Sequence, residues 1–189
     1  MLLLMKMTKH KTSAAINIKK MRIEKLSRDN LKFTEGFDCG DDDLNEFLKD
    51  DAFHYQKGKI AVTYLCFYMN VLVGYYSLSN DAIEIKGKAK KILDKLKKRQ
   101  RTYPAIKIGR LGIDKNFSRI GIGTKIIDVI VGCARVHSNS VGCRYASVNA
   151  YNQPEVVAFY KKNNFKILKI KESEEGDTLL MYRDIIESG

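Results

Sequence analysis

The chain is poor in the residues that build metal centres and disulfide scaffolds. Among its 189 residues are four cysteines and three histidines. The cysteines lie far apart, with no C-x-x-C pair and no histidine at a zinc-ligand spacing. This pattern predicts no metal site and free, reduced thiols at all four positions, which are Cys39, Cys66, Cys133 and Cys143.

Long apolar runs are missing as well. No segment approaches the roughly 20 apolar residues that a membrane-spanning helix needs. The run from Met1 to Met5 is too short for the apolar core of a secretory signal, because Lys6 interrupts it. The sequence therefore predicts a cytoplasmic protein that makes no membrane contact.

Two well-known phosphate-binding loops are absent, although a glycine pair is present. A P-loop needs Lys and then Ser or Thr directly after its last glycine, whereas Gly123 is followed by Thr124 and then Lys125. A dinucleotide-binding fingerprint needs a third small residue where Ile126 stands. Neither loop fits the spacing, so the glycine pair must be interpreted from what surrounds it.

The glycine pair lies between a strand-like run, Ile106 to Ile113, and an apolar-periodic helix. Glycines let the backbone turn sharply and approach a ligand closely, and the first N–H groups of the helix, with its positive dipole end, favour an anion. The order of strand, loop and helix therefore predicts a cradle for a phosphate-bearing cofactor. Its candidate residues are Ser118, Arg119, Ile120, Gly121, Ile122, Gly123 and Thr124.

Positive charge is abundant and unevenly spread. The formal net charge is +12, and nine basic residues with a single acid, Asp94, lie between Lys86 and Arg101. Such a density attracts polyanions through counterion release and steering. A solvated surface that only aids solubility would have the same composition. The apolar residues from Ile92 to Leu96 have helical spacing, which favours a short amphipathic helix with its lysines outward.

Periodicity predicts one α+β domain over residues 16–189, after a leader at residues 1–15 that is expected to be disordered. Strands are predicted over residues 16–26, 60–69, 71–79, 106–114, 144–150, 165–171 and 178–183. Helices are predicted over residues 41–57, 123–137 and 154–162. The first strand is expected at a sheet edge, because charged residues interrupt its alternation. The basic segment at 86–101 is an insertion between the third and fourth strands.

The first predicted helix carries acids at its start and an apolar stripe along one face. Asp41, Asp42 and Asp43 complement the helix dipole, and a role in gripping a substrate amine is the alternative. The stripe consists of Leu44, Phe47, Leu48, Ala52 and Tyr55.

Two blocks of sequence resemble the motifs of the GNAT family of acyl-CoA-dependent N-acetyltransferases. The family's pyrophosphate motif is Gln/Arg-x-x-Gly-x-Gly/Ala, and its second motif is an Asn at the head of a helix that ends in Phe-Tyr-x-x-x-Gly-Phe. This chain has Ser118 at the first position of the first motif, with Arg119 next to it, and Asn164 in place of the glycine before Phe165. Backbone amides hold most of the pyrophosphate, and Asn tolerates the left-handed conformation of a helix C′ position, so neither departure removes the motif.

The resemblance implies a mixed, mostly antiparallel sheet of about seven strands, flanked by helices and splayed between strands four and five. It implies acetyl-CoA as the cofactor, with pantetheine held by the exposed amides of Leu111, Gly112 and Ile113 and by Asn152. Tyr160 matches the family tyrosine that acts as general acid at the cofactor sulfur, and a phenol with a pKa near about 10 is protonated at neutral pH. A packing role for Tyr160 and a helix N-cap role for Asn152 are the alternatives.

Further segments resemble the GNAT-type toxins of bacterial toxin-antitoxin pairs. They run from Phe37 to Gly40, Leu44 to Leu48, Gly74 to Ser79 and Ile108 to Asp114. Those enzymes acetylate the α-amine of aminoacyl-tRNA and are silenced by a ribbon-helix-helix antitoxin. The resemblance implies the same acceptor and the same type of partner. A homodimer is a further expectation. The candidate tRNA contacts are Lys90, Lys91, Lys97, Lys98, Arg99, Arg101 and Arg110.

Two other functions stay open at this point. One is an N-acetyltransferase for a protein or a small-molecule amine, with the lysines merely solvated. The other is a non-catalytic GNAT-fold binding module, which the intact glycine loop and Tyr160 disfavour. Asp81, Glu84 and His54 are weak candidates for a general base. An α-amine titrates near about 8 and can lose its proton to water, so the lack of a strong base favours an α-amine acceptor.

Overall fold

The computed structural model describes residues 20–85, 102–168 and 177–186. Two sequence-based predictions lie outside these residues, the leader at 1–15 and the basic segment at 86–101. Six of the candidate tRNA contacts also lie outside them, namely Lys90, Lys91, Lys97, Lys98, Arg99 and Arg101. Arg110 is the member of that set that belongs to the described part of the chain.

Seven strands and four α-helices make up the described part of the chain. The strands are β1 (Arg22–Lys25), β2 (Val62–Tyr68), β3 (Val71–Glu84), β4 (Thr102–Ile113), β5 (Tyr145–Tyr151), β6 (Lys166–Ile167) and β7 (Thr178–Asp184). The helices are α1 (Asp42–Glu46), α2 (Ala52–Lys57), α3 (Ile122–His137) and α4 (Pro154–Lys162). A π turn (Phe47–Asp51) joins α1 to α2. None of these helices has the length and apolar character required to cross a membrane.

The strands form one sheet in the order β1-β2-β3-β4-β5-β7-β6. All neighbours are antiparallel except β4 and β5, which are parallel. This confirms the mixed, mostly antiparallel sheet that the sequence predicts. β1 lies at the edge, as expected, and its Arg22 and Glu24 form an ion pair of 3.1 Å there. Charged side chains suit an edge strand because they discourage pairing with another chain.

β4 and β5 pair over only part of their length. Ala105 to Ile108 of β4 pair with Tyr145 to Val148 of β5, although β4 continues to Ile113 and β5 to Tyr151. β4 stays paired with β3 along its whole length, so only one edge of β4 is opened. The predicted splay between strands four and five is therefore confirmed.

Apolar side chains cover both faces of the sheet. On one face α3 packs through its buried stripe, which consists of Ile122, Ile126, Ile127, Ile130, Val131 and Ala134. On the other face the segment from α1 to α2 packs Phe47, Leu48 and Ala52 against Leu65 and Tyr75. Each fully buried side chain of this size contributes about 1.5–3 kcal/mol relative to an exposed one. The open end of the β4–β5 pair consequently lies between two layers of helix.

The helix predicted over residues 41–57 is interrupted, and this changes the direction of its last apolar side chain. The Ala52 N–H donates to the Phe47 carbonyl, five residues back, in a π turn. The extra residue rotates everything after it by about 100° relative to a continuous α-helix. Phe47 and Leu48 are buried as predicted, but Tyr55 is 40% exposed. Tyr55 therefore does not share the buried face of Phe47 and Leu48, and the prediction that it lies on one helix face with them is wrong.

Candidate active site

A cleft of about 560 Å³ opens where β4 and β5 separate. Cavities of this size accommodate small-molecule ligands. Apolar lining residues from β4, β5 and α4 are Ile108, Leu111, Val148, Ala150, Val156 and Tyr160. The segment that runs from α1 to the loop after α2 lines it with Asp41, Asp43, Leu44, Phe47, Tyr55, Ile60 and Ala61. The cleft thus has one wall at the splayed strands and another at the α1–α2 segment.

The edge of β4 that borders the splay offers unpaired backbone N–H groups. The Asp114 N–H donates to the Val73 carbonyl at 3.1 Å, toward β3. Because N–H groups alternate in direction along an antiparallel strand, those of Leu111 and Ile113 point away from β3. The N–H of Gly112 points toward β3. Of the three amides predicted to face the cofactor, Leu111 and Ile113 are therefore on the open edge, and the prediction for Gly112 is corrected.

Gly112 has a packing task instead. A Cβ atom at this position would lie 2.6 Å from the Tyr75 ring, so only glycine leaves room for that ring. The Tyr75 hydroxyl donates to the Leu44 carbonyl at 2.7 Å. The missing Cβ of Gly112 therefore lets Tyr75 hold the start of the α1–α2 segment against β4.

A β-bulge in β4 determines where Arg110 points. Ser77 pairs with Arg110 and Leu78 with Ile108, so Gly109 is left out of the register with β3. A bulge adds one residue to its strand, bends it, and redirects the following side chain. Arg110 and Gly109 both line the cleft as a result.

α3 begins with backbone groups that are free to bind an anion. Gly121 precedes the helix with a φ of 93°, in the left-handed region, and no side chain caps the helix. The first intrahelical bond joins the Lys125 N–H to the Gly121 carbonyl at 3.1 Å. The N–H groups of the three residues between them therefore have no partner inside the helix. Together with the helix dipole these N–H groups have the geometry that an anion-binding site requires, and the phosphate cradle stays a prediction.

Among the loop side chains before α3, one is already engaged within the protein. The Ser118 hydroxyl donates to the Lys115 carbonyl at 3.0 Å, and Arg119 adopts a left-handed φ of 62°. Ser118 and Arg119 are both exposed. The geometry thus places backbone groups, rather than the Ser118 hydroxyl, at the centre of the candidate anion site.

Gly123, in the first turn of α3, packs directly on α4. A Cβ atom at Gly123 would lie 3.0 and 3.1 Å from two carbons of the Phe159 ring and 3.8 Å from Ile113. The glycine therefore allows the N-terminus of α3 to approach both α4 and the end of β4. Because of this contact, the candidate anion site lies beside the open edge of β4.

Tyr160 lies on the wall of the cleft with a buried ring, which is only 6% exposed. The rings of Phe159 and Phe165 contact it edge to face, at centroid distances of 5.1 and 5.3 Å. No described residue forms a hydrogen bond with its hydroxyl, which is not fully enclosed. Burial raises the pKa of Tyr160 above the ordinary value of about 10. The phenol is therefore protonated and able to donate to a ligand in the cleft.

Asn152 is not the N-cap of α4. The helix begins at Pro154, and Gln153 occupies the N-cap position without a capping side-chain bond. The Asn152 backbone N–H donates to the Asp177 carbonyl at 2.9 Å, which joins the end of β5 to the start of β7. The alternative of an N-cap role for Asn152 is therefore wrong, because the chain turns into the helix one residue later.

An acceptor-side cluster of four residues, Asp43, Phe47, Arg110 and Tyr151, spans the splayed strands. Arg110 Nε lies 3.5 Å from Asp43 Oδ2, and the Tyr151 hydroxyl lies 3.2 Å from the same oxygen. The Arg110 guanidinium carbon lies 5.1 Å from the centre of the Phe47 ring. Burial raises the pKa of Tyr151, and the neighbouring carboxylates act in the same direction. Asp43 thus connects α1 to both strands that border the cleft.

The acids at the start of α1 divide into two tasks. Asp41 caps the helix, because its side chain accepts from the Leu44 N–H at 3.0 Å, which confirms the predicted capping role. Asp43 instead faces the cleft and contacts Arg110 and Tyr151. Charge complementation of the helix dipole therefore accounts for only part of this acidic run.

A separate network fixes the chain that enters α1. Asp38 accepts from the Gly40 N–H at 2.8 Å and from Asn45 Nδ2 at 3.1 Å. Lys115 Nζ donates to the other oxygen of Asp38. The hydrogen bond from Lys115, followed by those from Gly40 and Asn45, lowers the pKa of Asp38 to about 2. This network ties the start of the α1–α2 segment to the end of β4, where the cleft begins.

The candidate general bases and the thiols lie away from the cleft. Asp81, Glu84 and His54 are not among its lining residues. Asp81 accepts a hydrogen bond from the Ser147 hydroxyl and one from the Ala82 N–H, so it has a structural partner within the sheet. All four cysteines are free thiols, and burial raises the pKa of Cys66 to about 12.

Sequence reasoning did not identify several residues that line the cleft. Tyr151, Ile60 and Ala61 carry no motif, and the exposed position of Tyr55 depends on the π turn. Phe47 was expected on the apolar face of the first helix and in a toxin-like segment, but its contact with Arg110 was not predicted. These residues come together through non-local packing, which leaves no local signal in the sequence.

No protein-family model matches the chain. Solved structures do match it. A tyrosine-to-phenylalanine variant of KacT is 25% identical, with a TM-score of 0.74 over 88% of this chain and 96% of that one. AtaT complexed with acetyl-methionyl-tRNAfMet is 25% identical, with a TM-score of 0.70 over 85% and 93%. AtaTR bound with AcCoA is 27% identical, with a TM-score of 0.68 over 86% and 93%.

These structural neighbours are GNAT-type toxins of toxin-antitoxin systems, and the chain has the GNAT fold. The resemblance that the glycine loop and the Phe-Tyr helix predict is thereby confirmed. The neighbours also support the predicted enzyme class, an N-acetyltransferase, and the predicted cofactor, acetyl-CoA. The roles of individual site residues are argued from the geometry of this chain alone.

Proposed function

We propose that this protein is a toxin-like, acetyl-CoA-dependent N-acetyltransferase that acts on the α-amine of an aminoacyl-tRNA. One observation carries the proposal. The α3 N-terminus lies beside Ile113, the open edge of β4 continues to Leu111, and Tyr160 lines the cleft along that edge. We infer that an anion site, unpaired N–H groups and a protonated donor follow one another along the open edge of β4.

Acetyl-CoA fits these groups, because it supplies a diphosphate, an extended amide-bearing arm and an acetyl thioester. We assign the diphosphate to the backbone of Gly121 to Thr124 at the start of α3. The N–H groups of Leu111 and Ile113 would pair with the arm as an added strand does. The side chain of Asn152, at the entrance to α4, is the third proposed contact.

The chain's own residues then have separate tasks in the transfer. A β4 N–H, that of Leu111 or Ile113, donates to the acetyl oxygen as it gains negative charge. As the acceptor nitrogen bonds to the acetyl carbon, the carbon–sulfur bond breaks and Tyr160 gives its proton to the departing sulfur. The amine loses its own proton to water, and the Tyr160 phenolate takes a proton back from water, which leaves the acetylated amine, a free thiol and the phenol. Burial raises the pKa of Tyr160, which keeps the phenol protonated at neutral pH and so available as the proton donor.

The tRNA acceptor is supported by charge and by similarity. A net charge of +12 favours a polyanionic partner, and contacts to phosphates would provide affinity without sequence recognition. AtaT, which is 25% identical, has a solved structure in complex with acetyl-methionyl-tRNAfMet. Because Arg110 lines the cleft, we assign it to the aminoacyl end rather than to the outer phosphates. A cytoplasmic location, a ribbon-helix-helix antitoxin and a homodimer belong to the same proposal.

A second candidate is an N-acetyltransferase for a protein or small-molecule amine. The observation that favours it is the pair of carboxylates, Asp41 and Asp43, that lines the α1–α2 wall of the cleft. Carboxylates attract an ammonium group, whatever it is attached to, and repel phosphate.

The two functions are separated by where an acetyl label goes. The protein is incubated with radiolabelled acetyl-CoA and total charged tRNA, and in parallel with deacylated tRNA, free amino acids and a lysine-containing peptide. We expect label only with charged tRNA, recovered as N-acetyl amino acid after mild alkaline hydrolysis. Label that appears only on free amino acids or the peptide would contradict the tRNA acceptor and support the second candidate. The variant Tyr160→Phe serves as the control for background transfer.

A further inference from the structure

Five of the seven residues that line the α1–α2 wall of the cleft are apolar or aromatic, and two of these five are exposed. Ile60 is 61% exposed and Tyr55 is 40% exposed, and both line the cleft together with Leu44, Phe47 and Ala61. Large apolar side chains exposed beside a cavity commonly mark a binding surface. We call these five residues the apolar side pocket.

The side pocket is rigid. The backbone N–H groups of Ile60 and Ala61 both donate to the Tyr55 carbonyl, at 2.9 and 3.5 Å. Gln56, the next residue along α2, donates to the Leu26 carbonyl at 2.6 Å and accepts from the Thr63 N–H at 3.2 Å. These hydrogen bonds fix the backbone around Ile60, so its exposed side chain has a defined position beside the cleft.

The side pocket is continuous with the reacting end of the cleft. The Tyr55 ring contacts the Phe47 ring edge to face at 5.4 Å, and Arg110 lies over the Phe47 ring at 5.1 Å. Arg110 contacts Asp43, and Asp43 contacts Tyr151 on β5. A chain of contacts thus leads from the splayed strands, through the acceptor-side cluster, to the apolar side pocket. The π turn that begins at Phe47 directs Tyr55 into this wall, and π turns frequently occur at functional sites.

We infer that the apolar side pocket receives the side chain of the aminoacyl group, and that this protein prefers an acceptor with a large apolar side chain. The inference rests on the proposed function, because it names the substrate class of the same site. None of the five residues of the apolar side pocket carries a charge, and such a pocket gains little from a glycyl, seryl or charged side chain. The carboxylates on the same wall, Asp41 and Asp43, belong to α1 and its N-cap, whereas Tyr55, Ile60 and Ala61 lie at the other end of the wall. In this arrangement the amine and ester of the acceptor lie at the acceptor-side cluster, beside the splayed strands.

The preference is tested with a panel of purified tRNAs charged with methionine, leucine, isoleucine, alanine, glycine, aspartate or lysine. Each N-acetyl product is quantified by mass spectrometry after mild hydrolysis. We expect kcat/KM for the best large apolar acceptor to exceed that for glycyl-tRNA by about tenfold or more, because apolar pockets discriminate by roughly that factor per missing group. Equal rates across the panel would overturn the inference and leave the proposed function intact.

Ile60→Ala tests the pocket itself. This variant should lower kcat/KM for the best apolar acceptor by about tenfold and leave that for alanyl-tRNA within about twofold. Val136→Ala is the matched control, since Val136 is 72% exposed at the end of α3 and does not line the cleft. An equal loss with all acceptors would show that Ile60 only supports the fold, and would overturn the inference.

The panel also distinguishes failure of the inference from failure of the proposed function. If no charged tRNA is acetylated while free amines are, the proposed acceptor is wrong. The comparison is then repeated with amino acid amides that carry apolar or charged side chains. A preference for methionine amide over glycine amide that Ile60→Ala abolishes would support the pocket, and its absence would overturn it.

Discussion

The Tyr160 carbonyl accepts a hydrogen bond from the Phe165 N–H at 3.0 Å, and the rings of these two residues contact edge to face. The Asn164 N–H donates to the Lys161 carbonyl at 3.0 Å, and Asn164 adopts a left-handed φ of 63°. Together these bonds form a Schellman motif with its accompanying apolar contact. The end of α4 and the position of the proposed catalytic phenol are therefore determined by the same few residues.

Tyr160→Phe should remove catalysis without unfolding the protein. The change deletes a hydroxyl that has no hydrogen-bond partner in the described part of the chain and keeps the ring contacts. Loss of a general acid lowers kcat by about 10²- to 10⁴-fold. Steady-state kinetics measure the fall, and the thermal midpoint should stay within about 2 °C because little buried interaction is lost.

The matched control is Tyr76→Phe, which deletes the hydroxyl of another buried tyrosine, stacked on Tyr64 and outside the cleft. This variant should retain wild-type kcat. Comparable losses of activity in the two variants would show that Tyr160 acts by packing.

The pH profile should lack an alkaline limb from Tyr160. Burial disfavours the phenolate, so the raised pKa keeps the proton on Tyr160 to a higher pH than the ordinary value of about 10. Values of kcat/KM from initial rates should rise as the α-amine loses its proton at about pH 8. They should then stay level to about pH 10. An ordinary phenol has a pKa of about 10. A decrease in kcat/KM centred below about pH 9.5 would therefore contradict the assigned environment of Tyr160.

Asn164 should tolerate glycine and reject alanine. A left-handed residue with a Cβ atom costs about 1–2 kcal/mol, which Asn partly avoids and glycine escapes. We expect Asn164→Ala to lower the free energy of unfolding by about 1 kcal/mol and Asn164→Gly to preserve or slightly raise it. Urea denaturation measures both variants. A destabilised glycine variant would indicate that the Asn164 side chain, rather than its backbone conformation, stabilises the turn.

Gly123→Ala should weaken cofactor binding through the fit of α3 on α4. The added methyl group would lie 3.0 Å from the Phe159 ring and displace the N-terminus of α3. We expect the KM for acetyl-CoA to rise by about tenfold, because the phosphate-facing N–H groups move with the helix. Isothermal titration with coenzyme A provides a second readout that is independent of turnover.

Gly132→Ala is the control in the same helix. A Cβ atom at Gly132 meets nothing within 4 Å, so this change should leave the KM unaltered. It should raise stability by about 0.5–1 kcal/mol, since alanine is the better helix former. A rise in KM for both variants would point to a general effect on α3.

A lysine at position 110 should not restore the function of Arg110 in acceptor binding. The planar guanidinium stacks on Phe47 and contacts Asp43, and a lysine ammonium cannot make both contacts in the same way. We expect Arg110→Ala and Arg110→Lys each to raise the KM for the aminoacyl acceptor by about tenfold, with the KM for acetyl-CoA within about twofold. A change confined to the KM for acetyl-CoA would place Arg110 at the cofactor instead.

Local features of this fold could be predicted because they depend on neighbours in the sequence. The α4 helix begins at Pro154 and ends at Lys162, shortly before the left-handed Asn164, as the spacing of these residues predicts. The buried stripe of α3 follows from its apolar periodicity, and the left-handed Gly121 before it follows from the glycine pair. The family resemblance added the splay of β4 from β5, which periodicity alone does not contain.

The π turn and the β-bulge could not be predicted in the same way. Each inserts one residue into a regular element, and neither is marked by a distinctive residue pattern. The π turn exposes Tyr55, and the bulge at Gly109 directs Arg110 into the cleft. The meeting of Asp43 with Tyr151 joins residues that are 108 positions apart, so only packing brings it about.

The sequence by itself determined the class of fold, the glycine turn before α3 and the tyrosine at the end of α4, because each depends on spacing within a few turns of chain. Only the tertiary structure decided which β4 amides are free, what Arg110 faces and how the apolar side pocket is built. These depend on strand register and on the phase of a helix after a π turn. A shift of a single residue in either one changes the direction of every side chain that follows.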